Sequence, residues 1–233
     1  MLTQVGLVKT TLLDFPGRVA AILFTPGCDL RCPWCHNPGF VLPPFEADFS
    51  LTEALELLRQ RRKVLGGVVV TGGEPLFHED LPDLLHKLKG LGLAVKLDTN
   101  GTYPQRLERL AGSVSEPDYI AVDVKADLAH YAEVTGVSVR TDLLGQTIAL
   151  TKQFWPGRAE FRLTWVPGLH TLDQLPGIAQ LIQGGPPIYV TGFRSGKTLD
   201  PRWSHRRSAT REEVTTVVDE LVRLGADARL REV

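Results

Sequence analysis

Hydrophobic and polar positions along the chain switch between two periods. Short β-branched runs, bounded by glycine, proline or asparagine, alternate with longer stretches in which apolar residues recur every three or four positions. The runs predict strands at 18–25, 67–71, 93–98, 118–124, 159–166 and 187–193, with a short one at 227–230. The stretches between them predict helices at 50–64, 80–91, 104–111, 141–154, 172–183 and 209–224. Ser50 with Glu53 and Thr210 with Glu213 have the spacing of capping boxes, and Gly90, Gly92 and Gly225 stand where helices should stop.

This alternation is the signature of βαβ units around a parallel sheet. About six such units, without the glycine fingerprint G-x-G-x-x-G, favour an α/β fold of the partial (β/α)6 TIM-like barrel type, with mostly parallel strands, over a dinucleotide-binding sheet. No repeat, low-complexity tract or flexible linker interrupts the pattern. A single domain over 1–233 is therefore expected, with its core over about 18–195 and a C-terminal helix at about 209–224.

Composition narrows the picture. With 233 residues and 43% apolar content the chain can bury one substantial core. A net charge of −1 gives no global attraction to nucleic acid or to an anionic membrane. The local cluster His205-Arg206-Arg207, with Arg202 and Arg211 nearby, reads as a solvated loop and helix start; a docking surface for a partner protein is the lesser alternative. The N-terminus lacks a basic segment followed by an apolar one, and the longest clearly apolar run, Val19 to Phe24, is too short to span a bilayer, so a cytoplasmic, unprocessed protein is expected. Three cysteines in one tight cluster argue for reduced thiols rather than a disulfide framework.

In barrels of this kind chemistry collects at the C-terminal ends of strands. After the first predicted strand comes Pro26-Gly-Cys-Asp-Leu-Arg-Cys-Pro-Trp-Cys-His-Asn-Pro38, which places Cys28, Cys32 and Cys35 at spacing C-x3-C-x2-C. Soft ligands in this number select zinc, copper(I) or an iron–sulfur cluster. A closed zinc site would need a fourth ligand such as His36. The absence of a second knuckle pair, the unusual spacing and a core large enough to fold without metal weigh against zinc. A [4Fe–4S] cluster takes four thiolates, so three leave one iron open to an outside ligand.

The second strand ends in Thr71-Gly-Gly-Glu-Pro75 and the third in Asp98-Thr-Asn-Gly101. The glycines permit close backbone approach, and a carboxylate there complements an ammonium group. In the fourth, Ile120-Ala-Val-Asp-Val-Lys-Ala126, alternation puts Asp123 and Lys125 on one face. Such charges either pair with each other, or with Lys96 or Asp98, or line a pocket for a polar ligand. Gly196-Lys197-Thr198 after the sixth strand imitates a phosphate loop, but Thr191 stands where G-x4-G-K-[ST] requires glycine.

The cysteine motif and G-G-E-P, in this order and each after a strand, resemble the radical S-adenosylmethionine (SAM) superfamily. Leu13-Asp-Phe-Pro-Gly17, Cys35-His-Asn-Pro38, Leu97-Asp-Thr-Asn-Gly101 and Val122-Asp-Val-Lys-Ala126 look like glycyl-radical-enzyme activating proteins, and Phe193-Arg-Ser-Gly-Lys-Thr-Leu-Asp-Pro201 looks like the branch that activates anaerobic ribonucleoside-triphosphate reductase. That branch should carry Q-Q-F where this chain has Thr191-Gly-Phe193.

The resemblance implies an oxidoreductase in which Cys28, Cys32 and Cys35 ligate a [4Fe–4S] cluster whose open iron binds SAM. Reductive cleavage of SAM would give a 5′-deoxyadenosyl radical that takes a hydrogen atom from a glycine of a partner enzyme. Trp34 would lie against the adenosyl part, and Glu74 with the Gly72-Gly73 backbone would hold the methionyl amine. Asp98, Thr99, Asp123 and Lys125 would contribute to SAM and to a monovalent cation, and Arg194 to the SAM carboxylate. The implied partners are a glycyl radical enzyme, anaerobic ribonucleotide reductase foremost, and a one-electron donor such as flavodoxin or ferredoxin; neither nucleic acid nor membrane is implied. A formate-lyase-like partner, a small-molecule enzyme such as 7-carboxy-7-deazaguanine synthase and a zinc-binding adaptor are the rival readings. His36 suits either a structural or a cluster-tuning role, and Arg162 and His170 carry no assignment.

Overall fold

Val68, Val69 and Val70 are fully buried, and so are Ala20, Ala21 and Leu23 in the strand beside them, as expected of parallel strands covered on both faces. These strands belong to a computed structural model of the protein that describes residues 1–231; the last two residues of the expected domain lie outside them. The chain forms two compact units. The first comprises Met1–Asp29, Gly39–Thr99 and Gln105–Ile120; the second comprises Leu30–Pro38, Asn100–Pro104 and the chain from Ala121 onward.

The first unit contains β1 (Gln4–Thr11), β2 (Ala20–Thr25), β3 (Phe49–Ser50), α1 (Leu51–Arg61), β4 (Gly67–Gly72), α2 (Leu81–Gly90), β5 (Ala94–Thr99) and α3 (Pro104–Leu110). Its strands run in the order β3-β1-β2-β4-β5, with β2, β4 and β5 parallel in registers that start at Ala20↔Gly67 and Gly67↔Ala94. The Ser50 capping box forms: Glu53 N donates to Ser50 Oγ at 3.2 Å and Ser50 N to Glu53 Oε2 at 2.9 Å. β1 is antiparallel to β2 and escapes the hydrophobic pattern. Its second half, Lys9-Thr-Thr11, is polar and largely exposed, so the alternation that marks a half-buried strand is missing.

The second unit takes over within β6 (Tyr119–Asp123) and continues through α4 (Tyr131–Thr135), α5 (Thr141–Phe154), β7 (Ala159–Trp165), α6 (Leu175–Ile182), β8 (Ile188–Gly192), α7 (Arg211–Arg223) and β9 (Ala228–Leu230). β7, β8 and β9 are parallel, in registers Phe161↔Ile188 and Ile188↔Ala228. The helix expected over 172–183 divides into a 3-10 turn, Leu172–Gln174, and α6, because Pro176 is accommodated only in a helix's first turn. Six strands, β2 and β4 to β8, are each followed by helix, which is the predicted count of βα units. The fold is α/β with a mostly parallel sheet. Among the described residues no helix is long and apolar enough to cross a membrane.

Candidate active site

All three cysteines are free thiols. Cys28 lies in the first unit, in the loop that leaves β2, where Gly27 adopts φ +88° and its N–H donates to Phe40 O at 2.7 Å. Cys32 and Cys35 lie in the second unit, Cys32 buried and Cys35 half-buried, joined by a turn in which Cys35 N donates to Cys32 O at 3.0 Å.

That turn is seated on α4, a helix too short to leave a periodic signal. Arg31 N donates to Thr135 O at 3.0 Å and Trp34 Nε1 to Val134 O at 3.0 Å. Gly136 ends α4 at φ +72°, and a Cβ there would stand 2.4 Å from Arg31 O, so the junction admits only glycine.

Burial pushes the Cys32 thiol up to about 11, with Lys125 offsetting only part of the effect, and burial also raises Cys35. Neutral at pH 7, such thiols ionise when a cation binds the sulfur. Among the described residues no group of three or more His, Cys, Asp or Glu side chains is preassembled around a metal. The fit to an iron–sulfur cluster therefore rests on the donor set: three unoxidised soft ligands within eight residues.

At the end of β4 the glycines of G-G-E-P make room for protein backbone. A Cβ on Gly72, which has φ +120°, would meet Thr25 N at 2.4 Å, and one on Gly73 would meet Gly27 O at 2.1 Å. Gly73 N donates to Thr25 O at 2.9 Å and Glu74 N to Gly27 O at 2.8 Å, tying this loop to the one that carries Cys28. Glu74 is fully buried; its Oε1 accepts from Leu76 N at 3.0 Å, capping the turn Pro75–Phe77, and from Thr99 Oγ1 at 2.8 Å.

The D-T-N-G residues divide between the units. In the first, Asp98 Oδ1 accepts from Lys96 Nζ at 2.7 Å, both side chains being buried, and Thr99 holds Glu74. In the second, Asn100 Oδ1 accepts from Thr102 N at 3.0 Å and from Thr102 Oγ1 at 2.8 Å. Gly101, at φ +83°, accepts from Thr147 Oγ1 of α5 at 2.8 Å.

A three-membered charged constellation stands at the end of β6. Asp123 Oδ1 accepts from Arg162 Nε at 2.8 Å, and its Oδ2 faces Lys125 Nζ at 3.3 Å. Burial pushes the Asp123 carboxyl up, but the two cations outweigh it and hold it well below the usual carboxylate range. Burial likewise pushes the Lys125 ammonium down, and the Asp123 carboxylate outweighs that and keeps it charged. Lys125 Nζ also lies 5.4 Å from the centre of the Trp34 ring, so the cysteine turn and the strand end meet in a cation–π contact.

Arg162 and His170, which the sequence left unassigned, complete this constellation. His170 Nδ1 accepts from Val166 N at 2.8 Å and its Nε2 is 2.7 Å from Lys125 O, which makes the imidazole neutral with its proton on Nε2. Burial holds it in that form. Arg162 was detectable from the sequence only as an outward-alternating cation on β7, level with the Asp123 end of β6; the register supplies the rest.

Arg194 is exposed, in a surface hollow of about 250 Å³ with Thr191, Thr210 and Arg211. The departure at 192 has a steric reason: a Cβ there would already be 3.0 Å from Ala209 Cβ and 3.1 Å from Val214 Cγ2. Gly196-Lys197-Thr198 forms no phosphate loop. Only a 3-10 turn, Pro201–Trp203, lies between β8 and α7, and Thr198 Oγ1 donates to Asp200 O at 2.9 Å. The segment folds instead onto the cysteine turn, where Leu199 N donates to Cys35 O at 3.1 Å and Asp200 N to Pro33 O at 3.0 Å. His36 stacks on Phe193 at 5.3 Å, with Nδ1 3.3 Å from Lys197 O.

A family model for the Radical SAM superfamily matches residues 22–142. The chain is 29% identical over 197 residues to MJ1227 of Methanocaldococcus jannaschii, a protein provisionally named a glycyl-radical enzyme activating enzyme, covering 76% of this chain and 74% of that one. It is 35% identical over 165 residues to the 7-carboxy-7-deazaguanine synthase of Rhodospirillum rubrum, 66% of each chain. Among solved structures, Streptococcus suis SuiB bound to S-adenosylmethionine superposes with a TM-score of 0.63 at 18% identity, over 90% of this chain and 51% of that one, so this chain spans about half of SuiB. Escherichia coli QueE superposes with a TM-score of 0.55 at 15% identity, over 100% of this chain and 93% of that one. At these identities the structural matches establish the fold alone.

Proposed function

The chain belongs to the radical SAM superfamily, and from that premise we propose that it is an activase that places a radical on a glycine of a partner enzyme, anaerobic ribonucleotide reductase foremost. The observation that carries the reading is the likeness to an activating enzyme across three-quarters of both chains, joined to the activase-like segments at 13–17, 97–101 and 122–126. Bound [4Fe–4S] cluster and SAM would supply a 5′-deoxyadenosyl radical, for which a glycine Cα–H is the hydrogen-atom donor.

The chain's own residues divide the remaining work. Cys28, Cys32 and Cys35 hold the cluster. Lys125, the cation beside the Trp34 ring, and Arg162, which shares the Asp123 carboxylate with it, would offer donors to the carboxylate of SAM. Arg194, beyond the end of β8, is the other guanidinium that would contact that carboxylate. A methionyl amine has only donors to offer, so Gly72 and Gly73 could meet it through carbonyl oxygens, with Glu74 fixing the loop through Thr99 and Leu76. A monovalent cation beside Asp98 or Asp123, a cytoplasmic location and a single radical SAM domain over 1–233 complete the proposal.

The identity to 7-carboxy-7-deazaguanine synthase favours one second reading, a small-molecule enzyme of that type. Anaerobically reconstituted, dithionite-reduced protein should release 5′-deoxyadenosine from SAM, and Cys32→Ala should abolish it. Addition of the reductase should then give the doublet of a glycyl radical by electron paramagnetic resonance. Stimulation by a pterin-like substrate, with no radical on the reductase, would replace the activase by the second reading.

A further inference from the structure

The segment 193–211, between β8 and α7, has two faces of opposite character. It carries Arg194, Lys197, Arg202, Arg206, Arg207 and Arg211 against one carboxylate of its own, Asp200, in a chain whose net charge is −1, so the other residues together carry −6; Arg202 pairs with Asp200 at 2.7 Å and Arg207 with Glu213 of α7 at 2.6 Å. All six cations and His205 are exposed, Arg202 with 88% of its side chain accessible. The inner face is apolar and fastened. Phe193 and Trp203 are buried against each other edge to face at 6.1 Å, and Phe193 carries the His36 ring. Its backbone donates to the carbonyls of Cys35 and Pro33.

We propose that this strap is the docking surface of an acidic one-electron carrier protein, of flavodoxin or ferredoxin type, which reduces the cluster held by the cysteine turn beneath it. The inference rests on the cluster reading above. One electron passes from the reduced carrier to the cluster; no bond or proton changes place. Two observations select this partner. The strap is hydrogen-bonded to a cluster-ligand residue itself, so a protein resting on it stands beside the electron's destination. Its charge is the reverse of the rest of the chain, and a positive patch on an acidic protein orients an acidic carrier and speeds its encounter. Redox partners meet through small, charge-guided contacts, for which a strap of this size suffices. RNA is the other polyanion such a patch could attract, but a stacking platform needs exposed aromatic rings, and Phe193 and Trp203 are buried.

The test compares holoprotein with the variant Lys197→Glu/Arg202→Glu and with a control, Arg62→Glu/Lys63→Glu, in the first unit. Cluster bleaching by photoreduced flavodoxin is followed by stopped flow, and binding of oxidised flavodoxin to the cluster-free protein by calorimetry. The strap variant should lose about tenfold or more in both rate and affinity, and the control should lose little. The wild-type rate should fall between about 50 and 500 mM salt while the variant's stays flat. Lys197→Gln/Arg202→Gln should lie between the two, which separates charge from misfolding. Dithionite-driven release of 5′-deoxyadenosine should be equal in all. Unchanged flavodoxin reduction in the strap variant overturns the docking proposal and leaves the cluster reading standing. Failure of the wild-type protein to assemble a cluster overturns the underlying reading instead.

Discussion

Two strand ends carry a lysine and an aspartate two residues apart, and they have opposite fates. On β5, Lys96 and Asp98 close on each other at 2.7 Å with 1% and 7% of their side chains exposed, sealed from solvent. On β6, Asp123 and Lys125 sit at 3.3 Å with 29% and 13% exposed, and Arg162 joins them from β7 at 2.8 Å. Sequence alternation treats the two alike. What separates them is the opening to solvent, so the β5 pair is sealed in the interior, whereas the β6 pair stays within reach of a ligand.

The largest effect should come from breaking the sealed pair. Asp98→Ala takes away the carboxylate at 2.7 Å from a buried ammonium and should cost about 3–5 kcal/mol, a fall in Tm of about 10 °C or more by circular dichroism. Lys96→Met/Asp98→Leu removes both charges and should recover most of that loss. A single substitution that leaves Tm unchanged while weakening SAM binding would put Asp98 in the ligand site and erase the contrast. Next, Thr99→Val removes the donor at 2.8 Å from the buried Glu74 carboxylate, at about 1–3 kcal/mol, whereas Thr99→Ser should keep most of it.

The open pair should respond in affinity rather than stability. Lys125→Met leaves Asp123 with its partner at 2.8 Å, Arg162, and so should shift stability by less than about 1 kcal/mol, the partly exposed site being screened. The same change should weaken SAM binding about tenfold or more in equilibrium dialysis, because it removes the cation next to Trp34. The Asp123 carboxyl is held well below its ordinary range and the Lys125 ammonium above its own. The pair itself should therefore give affinity no pH dependence between about pH 7.5 and 9, where neither group titrates. A sigmoid within that range, lost in Lys125→Met, would contradict the ionisation assigned to the pair.

The strand and helix pattern, both capping boxes and the chemistry-bearing strand ends were legible because each is written in local spacing. β1 was not, because its outer half is polar, and α4 was not, because five residues complete little more than one turn. The meaning of Gly72 and Gly73 was half legible. Their need for glycine showed, but the backbone pressed against them comes from the loop after β2, a contact some 46 residues distant that no local pattern records. Arg162 and His170 became meaningful only through register and a turn. Local rules foretell which residues need a special conformation; what fills the space so created is a tertiary fact.

His170 sharpens the same contrast at the smallest scale. It holds the end of β6 by accepting from Val166 N and donating to Lys125 O, which requires the neutral ring. Burial sets its folded pKa below the ordinary value near 6.5. The stability it contributes is therefore complete above that value and is lost as pH falls through the lower, folded one. Between about pH 7.5 and 5.5 the wild-type Tm should fall further than that of His170→Gln, whose side chain cannot be protonated there. The difference should be on the order of the 2–4 °C that 1 kcal/mol moves a chain of this size. SAM affinity of the wild-type protein should weaken over the same acid limb, because the lysine of the open pair is anchored through its carbonyl to this ring. Stability lost without affinity would mean that His170 supports the fold alone and that Lys125 is positioned by Asp123 and Trp34.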